Sequence, residues 1–241
     1  MSGARPAFYA LSPGGWRDYV TLLHLPYTAW HLSYVCLGAC LGAVVSWSRF
    51  GLTLAAFALA LGVAAHALDE LHGRPLATRI SSGALVALAA GSLAGACVIG
   101  IAVALDFSLW LLAFVAAGAF LVVAYNLELA SSRFHGDLWF GLAWGAFPVL
   151  TAAFAQTATV EPEALLAAAA AVLLSLAQRR LSTQVRHVRR NVRRVTGELE
   201  LRDGRSEPLD EGALLAAPEW ALRALTAAVV ALAAALVVAR I

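Results

Sequence analysis

Seven apolar stretches, at 26–45, 50–68, 82–105, 107–125, 138–155, 164–177 and 217–238, limit what this chain can fold into more than any other feature. In lipid every backbone N–H and C=O must be paired within the protein, and only helices or closed barrels achieve that. Ala, Leu, Val and Gly fill the stretches with little strict alternation, so helices are expected and a transmembrane barrel is not. Composition agrees, since 13% of the residues are charged where soluble domains carry about a quarter. A net charge of +2 is too small to argue for nucleic acid as a partner. The expected fold is all-α, a polytopic transmembrane helix bundle of about seven spans, in contact with membrane lipid throughout.

The sixth stretch is the shortest. At 1.5 Å per residue it covers about 21 Å of a core about 30 Å thick, so it must borrow length from residues 157–160 or rely on Arg179 and Arg180 snorkelling. Charge in the connections supplies a separate test, because cytoplasmic loops hold the excess of basic residues. All 17 basic residues are Arg. With the N-terminus inside, Arg5, Arg17, Arg74, Arg79, Arg133, the nine arginines from Arg179 to Arg205, and Arg223 fall on the inner side; Arg49 and Arg240 fall on the outer side. This division requires the sixth span. It predicts an integral membrane protein, in the plasma membrane, with its N-terminus cytoplasmic and its C-terminus outside. Residues 1–19 lack the order of a signal peptide, so the first span is expected to direct insertion.

Four segments follow: a cytoplasmic N-terminal segment at 1–25, a six-span bundle at 26–177, a basic amphipathic helix and cytoplasmic hairpin at 178–216, and a final transmembrane helix at 217–241. From Gln178 to Arg194, Leu181, Val185, Val188 and Val192 form one apolar stripe on a cationic helix, as expected of a helix lying on an anionic membrane surface. It reads either as a solvated anchor that fixes orientation or as a diphosphate or acidic-lipid site. Asp203-Gly204 predicts a hairpin turn, and Pro218 is expected to interrupt a helix running from 209 to 222.

The inner end of the second span, His66-Ala-Leu-Asp69-Glu70-Leu-His72-Gly-Arg74, holds the densest chemistry. Ionisable groups at a membrane face are costly to place and mark a site by default. His66, Asp69 and Glu70 stand at i, i+3 and i+4, one face of a continuing helix. Carboxylates so aligned suit Mg²⁺, and the histidine suits Zn²⁺ or Fe; the plain reading is a salt-bridged loop in which Asp69 and Glu70 pair with Arg74 and Arg79. His24, His31, His66 and His72 suggest a third arrangement, a histidine metal site or a transporter. Cys36-x-x-x-Cys40 reads as small packed residues. Gly38-x-x-x-Gly42, Gly91-x-x-x-Gly95 and Gly141-x-x-x-Gly145 allow close helix approach, and Trp30, Trp47, Trp110, Trp139, Trp144 and Trp220 fall mostly near span ends, as an aromatic belt would.

Two loops carry a family resemblance. An acidic motif closing the second span, then Arg74-Pro75-Leu76 and Ile80-Ser81-Ser82-Gly83, together with Tyr125-Asn-Leu-Glu-Leu-Ala-Ser-Ser-Arg133 followed by Gly136, Gly141, Gly145 and Pro148, resembles the UbiA superfamily of intramembrane prenyltransferases over about residues 16–190. The resemblance implies a UbiA-like fold, Mg²⁺ held by two acidic motifs, and transfer of a prenyl group from a prenyl diphosphate to a lipid-soluble acceptor. Carried over by position, it leaves Asp69 of the first motif, with His66 where another aspartate stands and Glu70 alongside. Asp69 and Glu70 are therefore the expected catalytic pair, and Asp69, Glu70 and His66 the expected metal ligands. Arg74, Tyr125, Arg133, Arg179, Arg180, Arg186 and Arg189 are the expected substrate-binding residues. The second motif falls between Gln178 and Arg194, which contains no carboxylate. A non-catalytic protein that binds a lipid or a partner on the same scaffold is the competing expectation.

Overall fold

The computed structural model describes residues 6–241; Arg5 and the start of the 1–25 segment lie outside the described residues. Among the described residues the chain is mostly helical, with connecting loops and one small hairpin. In order come α1 (Trp16–Leu22), α2 (Leu25–Ala39), α3 (Trp47–Leu71), α4 (Ser82–Asp106), α5 (Leu111–Asn126), α6 (Asp137–Thr157), α7 (Pro162–Asn191), β1 (Glu198–Glu200), β2 (Ser206–Pro208) and α8 (Glu211–Val238). Five of these, α3, α4, α6, α7 and α8, are long and apolar enough to cross a membrane. The helices α2 and α5 coincide with two further apolar stretches but are shorter, at 15 and 16 residues. Large apolar side chains such as Val98, Leu105, Leu166 and Leu173 stand on the outside. In water such a surface is a liability; in lipid it is the favourable one.

Helix α2 is the axis of the bundle, with Trp30, Tyr34, Val35 and Ala39 fully buried. Its Trp30 indole donates to the Tyr34 hydroxyl (2.6 Å). Glycine sets how closely its neighbours approach: a Cβ at Gly38 would lie 2.2 Å from the Val149 carbonyl oxygen of α6, and one at Gly145 2.7 Å from the Ala171 carbonyl oxygen of α7. The motifs at 38–42 and 141–145 thus work inside the bundle, whereas Gly91 meets nothing within 4 Å. Trp30 and Trp144 belong to the core and not to an interfacial belt. Cys36, Cys40 and Cys97 are free thiols.

Several expectations about helix limits are corrected. The sixth stretch gains its length from the basic segment, because α7 runs unbroken for 30 residues from Pro162 to Asn191, about 45 Å. The stripe read as a membrane-surface helix is the end of that rod: Val185 and Val188 are buried with Leu215 and Leu222 of α8, against Phe8 and Tyr27. Likewise Pro218 sits inside α8 without breaking it. The first stretch, in turn, is helical only to Ala39. The hairpin forms as expected, with Gly204 at φ 83° and Leu201 N–H donating to the Arg205 carbonyl (2.8 Å).

Both α3 and α6 widen into π-helix, over Ala58–Ala65 and Gly141–Ala146, a distortion that recurs at functional sites. In α6 the cause is local. Pro148 lacks an N–H and cannot serve the Trp144 carbonyl four residues earlier; the His31 ring donates to that carbonyl from Nδ1 instead (2.9 Å). At one end of the bundle two arginines close helix C-termini: Arg49 donates to the Ala155 and Gln156 carbonyls (2.8 and 3.2 Å) and Arg240 to the Cys40 carbonyl (3.1 Å).

Candidate functional site

At the opposite end the chain builds a cavity of about 300 Å³. Its walls come from the N-terminal strap (Phe8, Tyr9), the α1–α2 junction (His24), the last turns of α3 (His66, Asp69), the end of α5 and the loop after it (Tyr125, Glu128, His135), and the inward face of α7 (Gln178, Arg179, Ser182, Arg186, Arg190). Aromatic and apolar side chains (Leu61, Phe140, Trp144) form the inner wall. A second cavity of about 100 Å³ lies between α3, α4, α5 and α6 and is almost wholly apolar. Leu61 and Trp144 line both. Each stands in one of the two π-helical segments, so the distorted turns of α3 and α6 form the partition between a polar and an apolar chamber.

Helix periodicity delivers the polar groups on α7. Gln178, Arg179, Ser182, Val185 and Arg186 recur at three to four residues, so they share one face. Arg179 is the most engaged of them: it donates from Nε to Asp137 (2.6 Å), from Nη2 to the His135 carbonyl (3.0 Å) and from Nη1 to the Tyr125 hydroxyl, with its guanidinium over the Phe140 ring. Arg186 and Arg190 make one hydrogen bond each within the described chain, to Thr183 Oγ1 (3.0 Å) and the Pro6 carbonyl (3.3 Å).

The histidines are arranged by their hydrogen bonds. His66 donates from Nδ1 to the Gly62 carbonyl (3.2 Å) and lies flat on His24, ring centres 4.1 Å apart. The His24 Nδ1 is 2.9 Å from the Tyr9 hydroxyl, while its Nε2 is buried without a partner. Burial, and then the adjacent His66 and the Arg190 and Arg186 charges, holds His24 well below its ordinary pKa; burial likewise pushes the Tyr9 hydroxyl up. His135 donates from Nδ1 to the Tyr125 carbonyl (3.1 Å). Glu128, on the loop, accepts from Ser132 Oγ (2.7 Å) and has His135 and His72 about 4 Å away; the Ser132 bond first, with the two histidines, holds its carboxyl below the usual range.

Of the residues singled out in the sequence, Asp69, His66, Tyr125, Arg179 and Arg186 meet at this cavity. Five do not. Glu70 is completely buried and points into the following loop, accepting from Leu76 N–H (2.9 Å), Thr78 N–H (2.8 Å) and Thr78 Oγ1 (2.9 Å). Arg74 donates to the Ile80 carbonyl (2.5 Å) and Ser82 Oγ (2.8 Å), stapling the same loop. Arg189 pairs with Glu219 of α8 (2.5 Å), and Arg133 and Arg180 are exposed and line no part of the cavity. The plain salt-bridge reading also fails, since neither Asp69 nor Glu70 pairs with Arg74 or Arg79; Asp18 accepts from the Arg79 backbone N–H instead (3.0 Å). Sequence reasoning passed over Tyr9, Gln178, Ser182 and Glu128. Only the helical phase of Gln178 and Ser182 relative to Arg179 pointed to them.

The Mg²⁺ implied by the family resemblance finds a poor donor set. Among the described residues Asp69 and Glu128 are the only carboxylates on the cavity wall, Glu128 is held by Ser132, and Glu70 is spent on its loop. Among the described residues no three His, Cys, Asp or Glu side chains are grouped to hold a metal ion. The histidine metal site fails on the same ground, although His24, His31, His66 and His72 all line the cavity. Mg²⁺ wants several hard oxygen ligands, and the α7 face offers guanidinium groups. No known protein family, no curated protein and no solved structure matches this chain.

Proposed function

We propose that this chain is a divergent member of the UbiA superfamily, a seven-span protein of the plasma membrane with a cytoplasmic N-terminus, that transfers the prenyl group of a prenyl diphosphate to a lipid-soluble acceptor. One observation carries the reading: a polar cavity bearing Arg179, Arg186, Arg190 and Asp69 shares the wall residues Leu61 and Trp144 with an apolar cavity. An amphiphile with an anionic head and a hydrocarbon tail is the ligand class that such a pair of chambers complements.

The chain's own groups suffice to outline the step. The arginines hold the diphosphate and, as the carbon–oxygen bond breaks with both electrons leaving on oxygen, stabilise the growing negative charge. The prenyl carbon is left electron-poor against the aromatic wall of Phe140, Trp144 and Tyr125, where ring faces favour positive charge. The acceptor's nucleophilic atom bonds to that carbon and loses its proton to Asp69, whose carboxylate makes no hydrogen bond or ion pair within the described chain. Tyr125 and His135 position Arg179.

The scarcity of carboxylates favours a second reading, a protein that binds the same amphiphile without turning it over. One experiment tests both. Purified protein is incubated with radiolabelled geranylgeranyl diphosphate and a membrane lipid extract. Release of diphosphate with label moving into a new lipid is expected, and Asp69→Asn should slow it by about 100-fold, the usual contribution of a general base. Binding without turnover would establish the second reading. Neither binding nor turnover, with Asp69→Asn equal to wild type, would sink both.

A further inference from the structure

We infer that the cavity takes the phosphate head of its ligand on guanidinium and imidazole N–H groups alone, without a divalent cation. The inference rests on the reading that the ligand is a phosphorylated amphiphile, and it departs from the metal-dependent binding that the family resemblance implies.

Four features of the cavity carry it. On the α7 face, where a second set of carboxylates would be required, stand Gln178, Arg179, Ser182, Arg186 and Arg190. Arg186 and Arg190 each spend a single donor within the described chain, so most of their N–H groups remain for a ligand. His24 supplies a neutral donor. Its Tyr9 partner is a buried, protonated hydroxyl with no other acceptor among the described residues, so that hydroxyl donates to Nδ1. The proton of the neutral ring is thereby fixed on Nε2, which is buried and makes no bond. Gln178 is 3% exposed, lines the cavity, and likewise leaves its Oε1 without a partner.

A buried polar atom left unpaired is costly, and native proteins leave few of them. Two belong to residues that line this cavity, beside two under-used arginines. Phosphate oxygens accept from guanidinium and imidazole N–H groups in short charge-assisted bonds. The Gln178 side-chain amide also carries an NH₂ group, a donor of the kind an anion takes. A divalent cation, by contrast, would face the field of three guanidiniums with Asp69 as its one uncommitted carboxylate.

Isothermal titration of the purified protein in detergent, with geranylgeranyl diphosphate as the probe, tests this in excess EDTA and in magnesium chloride. The expected result is the same Kd in both, within about twofold. Arg186→Gln with Arg190→Gln should weaken binding by about 100-fold and His24→Phe by about tenfold, consistent with one to two lost charge-assisted bonds. Arg180→Gln, exposed on the same helix, should bind as wild type. Binding that appears only with magnesium overturns the inference and spares the reading beneath it; this arm uses the wild-type chain and depends on no variant. Metal-free binding untouched by the folded arginine variant also overturns it. Absence of binding in both buffers, or equal affinity for inorganic diphosphate, overturns the amphiphile reading itself.

Discussion

Asp69 and Glu70 are adjacent acidic residues with opposite fates, and the difference lies in what each carboxylate touches. Glu70 accepts three hydrogen bonds from the 76–78 segment, which lets a loop with left-handed Arg74 and Ala77 (φ 54° and 52°) hold one conformation. Glu70→Gln would turn an NH₂ group toward one of the backbone donors. It should lower stability by about 1–3 kcal/mol, seen as a fall in Tm in detergent; an unchanged Tm would remove Glu70 from this structural role. His24 gives a pH dependence with a definite sign. Its folded pKa lies well below the ordinary 6.5, so below that pH the unfolded chain takes up a proton that the folded chain refuses. Its contribution is complete above 6.5 and is lost as the pH falls below it, at up to about 1.4 kcal/mol per pH unit. Thermal melts between about pH 7 and about pH 5 should show Tm falling toward acid. The fall should be shallower in His24→Gln, in which Tyr9, His66, Arg186 and Arg190 no longer face a titrating ring. None of this was visible at the level of residue type, since spacing placed Glu70 beside Asp69 and His66 on one helical face but could not say which way it points.

At the scale of elements, helix contacts are set by glycine and helix shape by proline. The Gly38 contact with the Val149 carbonyl is with backbone, which cannot rotate away. Gly38→Val should therefore cost more than about 3 kcal/mol or prevent folding. Gly51→Ala, with nothing within 4 Å, should be neutral or slightly stabilising. Comparable melting of the two variants would refute the close α2–α6 approach. The glycine motifs were legible in the sequence, and so were the apolar stretches. The π-helical turns were not. Pro148 is visible in the sequence as part of a motif, but its consequence, a freed Trp144 carbonyl met by His31, depends on a residue 113 positions from that carbonyl. The continuity of α7 was hidden for a related reason. A change from apolar to basic composition at Gln178 marks a change of surroundings, and the backbone crosses it without a break.

For the whole molecule, the two ends differ in what their arginines do. Arg49 and Arg240 cap helices at one end, while the cavity gathers Arg179, Arg186 and Arg190 at the other. This agrees with the loop charges and supports an inner face at the cavity end. Gly204→Cys, at the hairpin tip, and Thr159→Cys, in the loop before α7, test the orientation. An impermeant maleimide applied to intact cells should label Thr159→Cys and leave Gly204→Cys untouched; the reverse pattern would invert the topology. The sequence by itself determined that this chain is helical, with stretches apolar enough to cross a membrane, where those stretches lie and which loops are basic. Those follow from hydrophobicity and charge, which each residue carries regardless of its neighbours. Only the tertiary structure decided that Asp69 and not Glu70 faces the cavity, that Arg179, Arg186 and Arg190 face it while Arg189 and Arg180 do not, and that a polar and an apolar chamber meet at Leu61 and Trp144. Those depend on helix phase and on packing between residues far apart in the chain, which local pattern does not encode.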